Sequence, residues 1–278
     1  MKKVGFIDYY LNEWHADNYP AWIKDLSNGE FEVKYGWAQI DSPNEGGLTN
    51  AQWCEKYCGE LLGSIDELIE KSDCIIVLAP DDTDKHLELS LPAVKSGKPV
   101  FIDKTFCCGE AEAIKIFETA KESGSPCFST SAMRFSPKLA EVRRDDINTV
   151  MCFGHLEPDT YIIHQLEPLA ILMGTDVERV MYCGSDACPS WQLMFSGQRS
   201  AAINMLQNEF DHYFIVNHAD SNETVVLNDD IWTGAMQAII EMFRTGKTPV
   251  SHDESIAIMK IRERCLQAMN NRGEWLDV

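Results

Sequence analysis

The chain has 278 residues, 45% of them hydrophobic, which is enough to build a large core in one α/β unit or in two domains. Its 24 basic and 44 acidic residues give a formal net charge of -20, a surface that repels nucleic acid and anionic lipid. No apolar run is long enough to span a membrane, and Asp8 ends the N-terminal apolar run too early for a signal peptide.

The first half of the chain alternates predicted strands with predicted helices. The strands are VGFID, FEVKYGWAQID, CIIVLAP, KPVFIDK and PCFSTSAM. The helices are GSIDELIEKSD, DKHLELSLPAVKSG and GEAEAIKIFETAKESG, the last two ending at Gly97 and Gly124. Repeated βα units predict a Rossmann-like, doubly wound parallel sheet, which we place in a domain of residues 1–125.

The second half has a different order of predicted elements, because several strands follow one another without helices between them. Helical SPKLAEVRRDD, strand INTVMCFGHLE and helix PDTYIIHQLEPLAILMG lead into VERVMYCGS, WQLMF, SAAINMLQN, DHYFIVNH and ETVVLND, and two helices close the chain. This pattern predicts an α+β domain over 126–278 with a mainly antiparallel, open sheet, and a terminal helix free to pack back on the first domain. An open apolar sheet face is typical of an interface, so we expect a homo-oligomer paired through it.

The ten cysteines contain no CxxC pair, and several lie within apolar runs, as Cys74 and Cys152 do. Such residues are typical of buried thiols in a reducing compartment. We therefore expect a cytoplasmic protein whose cysteines bind no metal.

Four segments in a fixed order carry a resemblance to a known family. The stretch SDCIIVLAPDDTDKHLELSLPAVKSGKPVFIDKTF resembles the pattern DaViiatP…H…a..al.aGkhV..EKP, with Pro80, His86, Gly97 and Lys104 in matching places. SAMRFSP resembles RfsP, and PDTYIIHQLEPLAILMG resembles DxGxHxxDxxxxlxG, with His164 on the histidine. The C-terminal stretch resembles a terminal helix and strand. Together they resemble the glucose–fructose oxidoreductase/inositol dehydrogenase (Gfo/Idh/MocA) family.

The chain also departs from the family pattern. EKP reads DKT here, and the two aspartates of DxGxHxxD are Thr160 and Glu167. The glycine fingerprint of the first turn falls on Asp8, Tyr10 and Glu13. Glycines at those places admit the dinucleotide pyrophosphate, so these departures bear directly on cofactor binding.

The resemblance implies an NAD- or NADP-dependent oxidoreductase that transfers hydride at a secondary alcohol of a sugar or polyol. It implies that Lys104 polarises the reacting oxygen, that His164 removes its proton, and that Pro80 and His86 line the cofactor pocket. From the residues alone, Lys104 could instead be an exposed lysine after a strand. His164 could be a core histidine, and His86 could pack or cap its helix.

The first turn decides how a cofactor would approach the sheet. Asn18 is a good N-cap and Pro20 suits a first helical turn, so we expect the helix to begin there, after a long loop that leaves Asp8 and Glu13 pointing away from the phosphates. The alternative is a helix from Asn12 with a kink at Pro20. Backbone N–H groups of a long loop or a helix N-terminus could still bind phosphate.

Further residues complete the predicted cofactor site. We place Asp8, Tyr10, Trp14 and His15 near the cofactor, because they lie in or beside the first turn. Asp41 follows the second strand, where an acid holds the ribose and favours NAD over NADP. Asp41 could also be a simple turn residue.

The substrate site is predicted in the second domain. His155 on its first strand could face the cleft or solvent, and we include Thr160 because it lies within the segment that resembles the family motif. Arg134 could bind an acidic substrate group or brace the domain junction. A second function stays open, a non-redox relative that binds a sugar or works as a lyase or isomerase through His15, His155 and His164.

Overall fold

The computed structural model describes residues 1–80, 82–155 and 157–278. The chain divides into two compact units, here called unit 1 (1–130 with 233–252) and unit 2 (131–232 with 253–278). Unit 1 therefore includes a late segment that the expected division at residue 125 assigned to the second domain.

Unit 1 is built on a parallel sheet of six strands. In chain order the strands are β1 (Lys2–Asp8), β2 (Phe31–Ala38), β3 (Glu60–Leu61), β4 (Cys74–Val77), β5 (Val100–Ile102) and β6 (Cys127–Ser129). Their order across the sheet is β3-β2-β1-β4-β5-β6, so the direction of strand addition reverses between β1 and β4. The predicted doubly wound parallel sheet is confirmed, with the strand order of a Rossmann fold.

Helices connect these strands. They are α1 (Trp14–Leu26), α2 (Asn50–Tyr57), α3 (Ile65–Lys71), α4 (His86–Lys95) and α5 (Glu110–Ser123), with a 3-10 turn at Thr83–Lys85. Gly5 on β1 is required by close packing, because a Cβ there would lie 2.6 Å from a Leu68 side-chain carbon on α3. This glycine serves the contact between helix and sheet rather than a phosphate turn.

Unit 2 contains a sheet of seven strands in the order β12-β11-β7-β10-β9-β8-β13. The strands are β7 (Ile147–His155), β8 (Val177–Tyr182), β9 (Ser190–Phe195), β10 (Ser200–Leu206), β11 (His212–His218), β12 (Asn222–Leu227) and β13 (Trp275–Asp277). Strands β7 and β10 pair in parallel and the other neighbours are antiparallel. The predicted α+β architecture with a mainly antiparallel sheet is confirmed.

The remaining helices lie before β7, between β7 and β8, and between β12 and β13 in the chain. They are α6 (Pro137–Glu141), α7 (Pro158–Tyr161), α8 (Ile163–Met173), α9 (Ile231–Thr245) and α10 (His252–Ala268), with 3-10 turns at Ala132–Phe135 and Ser196–Gln198. Trp191 of β9 is fully buried and donates its indole N–H to the Cys265 carbonyl of α10 at 2.7 Å, which places α10 against the sheet.

The late segment of unit 1 is most of α9, the penultimate helix rather than the terminal one. Its Phe243 ring lies 5.6 Å from the Phe31 ring of β2, and Arg244 pairs with Glu30 at 2.7 Å. The apolar face of α9 is thus buried in unit 1, while most of α10 belongs to unit 2.

Candidate functional site

The turn between β1 and α1 is short. Helix α1 begins at Trp14 and contains Pro20, so the expected start at Asn18 after a long loop is wrong, and the alternative start near Asn12 is close to the structure. The reason is the Glu13 side chain, which caps the helix ahead of the proline. Pro20 then lies inside the helix, where it cannot donate a backbone hydrogen bond.

The Glu13 carboxylate takes the first backbone donors of α1. Its Oε2 accepts from the N–H of His15 at 2.7 Å and its Oε1 accepts from the N–H of Ala16. The Glu13 side chain is only 6% exposed. In a Rossmann domain this helix N-terminus faces the pyrophosphate, so the expectation that Glu13 points away from the phosphate position is wrong.

The Asp8 carboxylate lies at the reversal of strand order. Its Oδ1 accepts from the N–H of Tyr9 at 2.7 Å and from the N–H of Ala79, just beyond β4, at 2.9 Å. Asp8 is 1% exposed, and its Oδ2 has no hydrogen-bond partner among the described residues. Burial raises the pKa of Asp8 well above its usual range and the Glu13 carboxylate adds to the rise, so we expect Asp8 to be protonated more readily than an ordinary aspartate.

His15 and Tyr19 connect α1 to the end of β5. His15 Nδ1 lies 3.2 Å from Glu13 Oε2, and its Nε2 lies 3.9 Å from Asp103 Oδ2. The Tyr19 hydroxyl donates to Asp103 Oδ1 at 3.3 Å. Burial opposes the charge on His15, but Asp103 and Glu13 outweigh it and raise the pKa of His15. The two carboxylates therefore favour the charged form of the ring.

Lys104 follows β5 and is buried, with 5% exposure. Its Nζ donates to the carbonyl of Pro80, beyond β4, at 3.2 Å. His86 is the first residue of α4 and is fully buried; burial and the Lys104 charge lower its pKa to about 3, so its ring is neutral. The structure thus places Pro80, His86 and Lys104 together near the carboxyl ends of β4 and β5.

Three other predicted cofactor residues lie around this edge in different settings. Tyr10 is partly exposed in the first turn, and Trp14 is 50% exposed with its ring 5.2 Å from the His15 ring. Asp41 is exposed and accepts from the N–H of Asn50, at the start of α2, at 2.7 Å. That bond gives Asp41 a role in ordering the turn, and its predicted ribose contact stays a prediction.

In unit 2 the predicted residues His155 and His164 lie in one cluster with His212. The His155 and His212 ring centroids are 5.0 Å apart, and those of His164 and His212 are 5.7 Å apart. His164 Nδ1 lies 2.7 Å from the Ser131 hydroxyl. The cluster joins the end of β7, the start of α8 and the start of β11.

The Gln165 amide favours one tautomer of the His212 ring. Its Nδ1 lies 2.6 Å from Gln165 Nε2, which can only donate, so the neutral ring carries its proton on Nε2. Burial and the nearby His155 lower the pKa of His212 to about 4. Gly154 makes room for this pair, because a Cβ there would lie 2.0 Å from Gln165 Nε2.

Arg134 and Thr160 complete the predicted set. Arg134 Nε donates to Glu167 Oε2 at 2.6 Å, and its Nη2 lies 2.6 Å from Glu254 Oε1. Burial opposes the charge on Arg134, but the two glutamates outweigh it and raise its pKa. This is the arrangement expected of the bracing role, here within unit 2. Thr160 is partly exposed on α7.

Sequence reasoning missed several members of these clusters. Asp103 and Tyr19 were not assigned to the site, although Asp103 ends a buried strand beside Lys104 and could have been found by that position. His212 and Gln165 carry no such signal, because they meet only through the pairing of β11 with β7. Lys104 belongs to unit 1 and His164 to unit 2, and their predicted approach stays a prediction.

Among residues 1–80, 82–155 and 157–278, no group of three or more His, Cys, Asp or Glu side chains could hold a metal ion. All ten cysteines are free thiols, and Cys74 and Cys152 are buried as predicted. None of the helices described in these ranges has the length and apolarity needed to cross a membrane.

No protein-family model and no curated protein matches the sequence. Solved structures match its fold. A probable dehydrogenase from Thermotoga maritima has a TM-score of 0.83 and 14% identity, covering 99% of this chain and 98% of its own. Myo-inositol 2-dehydrogenase from Lactobacillus plantarum has a TM-score of 0.82 and 15% identity, covering 100% and 99%. GenD2 from gentamicin A biosynthesis, in complex with NAD, has a TM-score of 0.81 and 9% identity, covering 100% and 97%. At these identities the likeness establishes a shared fold over nearly the whole chain.

Proposed function

We propose that this chain is an NAD- or NADP-dependent oxidoreductase of the Gfo/Idh/MocA family, acting on a secondary alcohol of a sugar or polyol. Three lines of support converge. The sequence resembles the family in four ordered segments. The strand order of unit 1 is that of dinucleotide-binding domains. Two of the matching solved structures are described as dehydrogenases, one of them of myo-inositol, and a third, GenD2, is in complex with NAD.

The observation that carries the proposal is the buried Lys104 ammonium at the carboxyl edge of the unit 1 sheet. Ligands of doubly wound folds bind at this edge, near the reversal of strand order. Burying a lysine ammonium costs free energy unless the group is paired or hydrogen-bonded. Lys104 donates to the Pro80 carbonyl and lies beside a neutral His86. An ammonium placed there would hold and polarise the hydroxyl oxygen on the carbon that loses hydride.

His164 is the proposed base. The Ser131 hydroxyl lies 2.7 Å from its Nδ1 and orients the ring. His155, Thr160 and His212 would contact substrate hydroxyls. When bound, the nicotinamide supplies the hydride acceptor. The residues proposed to hold the dinucleotide are the α1 N-terminus, Pro80, His86 and Lys104.

Turnover by a Lys104→Met variant tests the proposal. Hydride transfer from a panel of sugars and polyols to NAD or NADP is followed by absorbance, with Lys95→Met, an exposed lysine on α4, as the matched control. We expect Lys104→Met to lose turnover by roughly a hundredfold or more while Lys95→Met keeps it, since lost transition-state stabilisation of a few kcal/mol has that effect. Normal turnover by Lys104→Met would rule out the assigned role.

Glu13 favours a second candidate, the non-redox relative. A carboxylate at the phosphate position is the arrangement expected of a chain that has kept the fold and lost the cofactor. In that case His15, His155 and His164 would serve binding or acid–base chemistry on a sugar-like ligand. A folded protein that binds a sugar but neither NADH nor NADPH, even with Glu13 replaced, would support this candidate over the first.

We also propose a homo-oligomer paired through the open sheet of unit 2. Met151 on β7 and Ile215 on β11 are opposite each other in the strand register and are 46% and 36% exposed. Exposed apolar neighbours on one sheet face are typical of an interface. Light scattering at micromolar protein should give a multiple of the chain mass, and a monomer would contradict the pairing.

A further inference from the structure

Two cysteines lie one helical turn apart at the end of α2. Cys54 is 1% exposed, and Cys58, the C-cap residue of the helix, is 8% exposed. Residues four apart in an α-helix share a face, and their Cα atoms are about 6 Å apart, within the range that a disulfide spans. The Cys58 backbone is outside the helical region, at φ -131° and ψ -29°, so helical geometry does not fix its side-chain direction. The spacing therefore permits a disulfide between the two residues.

The turn after α2 brings a positive charge close to Cys58. Gly59 follows Cys58 with a φ of +108°, and a Cβ at Gly59 would lie 3.1 Å from the Lys34 ammonium nitrogen of β2. The next residue is Glu60, whose carboxylate is paired with Lys71 at 2.8 Å. A cationic group beside a cysteine favours the ionised, nucleophilic form of the thiol.

The two sulfurs differ in how readily they ionise. The Cys54 thiol donates a hydrogen bond to the Cys58 sulfur, which lowers the pKa of Cys58, while burial opposes the change. The Glu60 N–H, the Lys34 ammonium and the Gly59 N–H lower that pKa further. The hydrogen bond and burial both raise the pKa of Cys54. The pair therefore combines an attacking thiolate with a neighbouring thiol that can resolve its oxidation product.

We propose that Cys58 is a thiol that reacts with hydrogen peroxide, and that Cys54 converts the product into a disulfide. The Cys58 thiolate attacks one peroxide oxygen, so an S–O bond forms, the O–O bond breaks, and the leaving hydroxide takes up a proton to become water. The Cys54 sulfur then attacks the Cys58 sulfenic acid. An S–S bond forms, the S–O bond breaks, and the hydroxyl leaves with the Cys54 proton as a second water. Two thiols are oxidised and one peroxide is reduced, independently of the function proposed above.

Peptide mapping of the whole natural chain after treatment with hydrogen peroxide tests the proposal. Trypsin cuts after Lys56, between the two cysteines, so a disulfide appears as two linked peptides. Cys54→Ser removes the resolving thiol, and dimedone traps any sulfenic acid that persists on Cys58. Cys108→Ser removes an exposed thiol elsewhere in unit 1 as the matched control.

We expect the linked peptides in the natural chain and in Cys108→Ser, and none in Cys54→Ser or Cys58→Ser. Dimedone labelling of Cys58 should rise severalfold in Cys54→Ser over the natural chain, because the sulfenic acid is no longer consumed. Lys34→Met should slow the formation of the linked peptides by about threefold or more, since less of the Cys58 thiol is ionised without the ammonium.

Three results would overturn the proposal. In the first, peroxide oxidises the exposed Cys108 and Cys183 while Cys54 and Cys58 stay reduced. In the second, dimedone labels Cys58 equally in the natural chain and in Cys54→Ser, so that Cys54 resolves nothing. In the third, Lys34→Met forms the linked peptides at the natural rate, which refutes activation of Cys58 by the ammonium. Should Cys54→Ser not fold, absence of the linked peptides in the natural chain decides against the proposal alone.

Discussion

Replacement of Arg134 by methionine separates a bracing role from substrate binding. Arg134 contacts Glu167 through Nε at 2.6 Å and Nη2 at 2.5 Å, and Glu254 through Nη2 at 2.6 Å. The Glu167 side chain is 4% exposed and that of Glu254 is 35% exposed, so water screens only the second pair. Removing one partner of a buried pair costs about 3–5 kcal/mol, and an exposed pair adds about 0–1 kcal/mol. Arg134→Met should therefore lose about 3–5 kcal/mol of unfolding free energy.

The assay is urea unfolding at neutral pH, followed by far-UV circular dichroism. Arg143→Met is the matched control, because Arg143 pairs with Asp220 while their side chains are 43% and 69% exposed, so water screens the pair and this variant should lose little stability. Adding Glu167→Leu to Arg134→Met removes the buried carboxylate and should restore most of the loss. If Arg134→Met loses no more stability than Arg143→Met, the bracing role is refuted and substrate binding becomes the better interpretation.

Three further predictions concern stability and pH. Burial raises the pKa of Asp8, so the fold loses stability as the pH rises through that raised pKa. Thermal melts should show that Asp8→Asn gains more stability over the natural chain at about pH 8 than at about pH 4, and equal gains would contradict this reasoning. The pKa of His212 is lowered from 6.5 to about 4, so the free energy of unfolding falls by up to about 3 kcal/mol as the pH falls between those values. Thermal melts of His212→Gln over the same pH range should show a smaller loss. Lys104→Met should keep its unfolding free energy within roughly 1 kcal/mol by urea titration, and failure to fold would show that Lys104 is structural.

The two sheet types could be predicted because their signals are local. CIIV is apolar on every residue, as a strand covered on both faces must be, and all four residues of β4 are buried. Alternating exposure along β7 likewise reflects a sheet with one covered face. These features depend on neighbours in the sequence, so the two sheet types followed from the pattern.

The start of α1 could not be predicted, because the local signals agreed on a later start. Pro20 and Asn18 together favour a helix that begins late, and Glu13 is not among the favoured N-cap residues. The helix begins earlier because the longer Glu13 side chain reaches two backbone donors. Helix α2 went unpredicted, although Thr49 and Gln52 form a capping box at its start.

The group of Pro80, His86 and Lys104 in unit 1 and the histidine cluster in unit 2 could be predicted only in part. Pro80, His86 and Lys104 come together because the carboxyl ends of neighbouring parallel strands meet at one edge. His212 joins His155 because β11 pairs with β7, and strand pairing between distant segments leaves no trace in a single sequence. The proton position on His212 follows from Gln165, which lies on another element.

Calorimetric titration of the purified natural chain with NADH and NADPH tests the central claim most directly. The account predicts saturable binding of one dinucleotide per chain, with a Kd below about 1 mM, the upper end of ordinary cofactor and substrate ranges. ADP-ribose should compete for the same site, because it carries the same pyrophosphate. Absence of binding by either dinucleotide at millimolar concentration would contradict the dinucleotide site in unit 1.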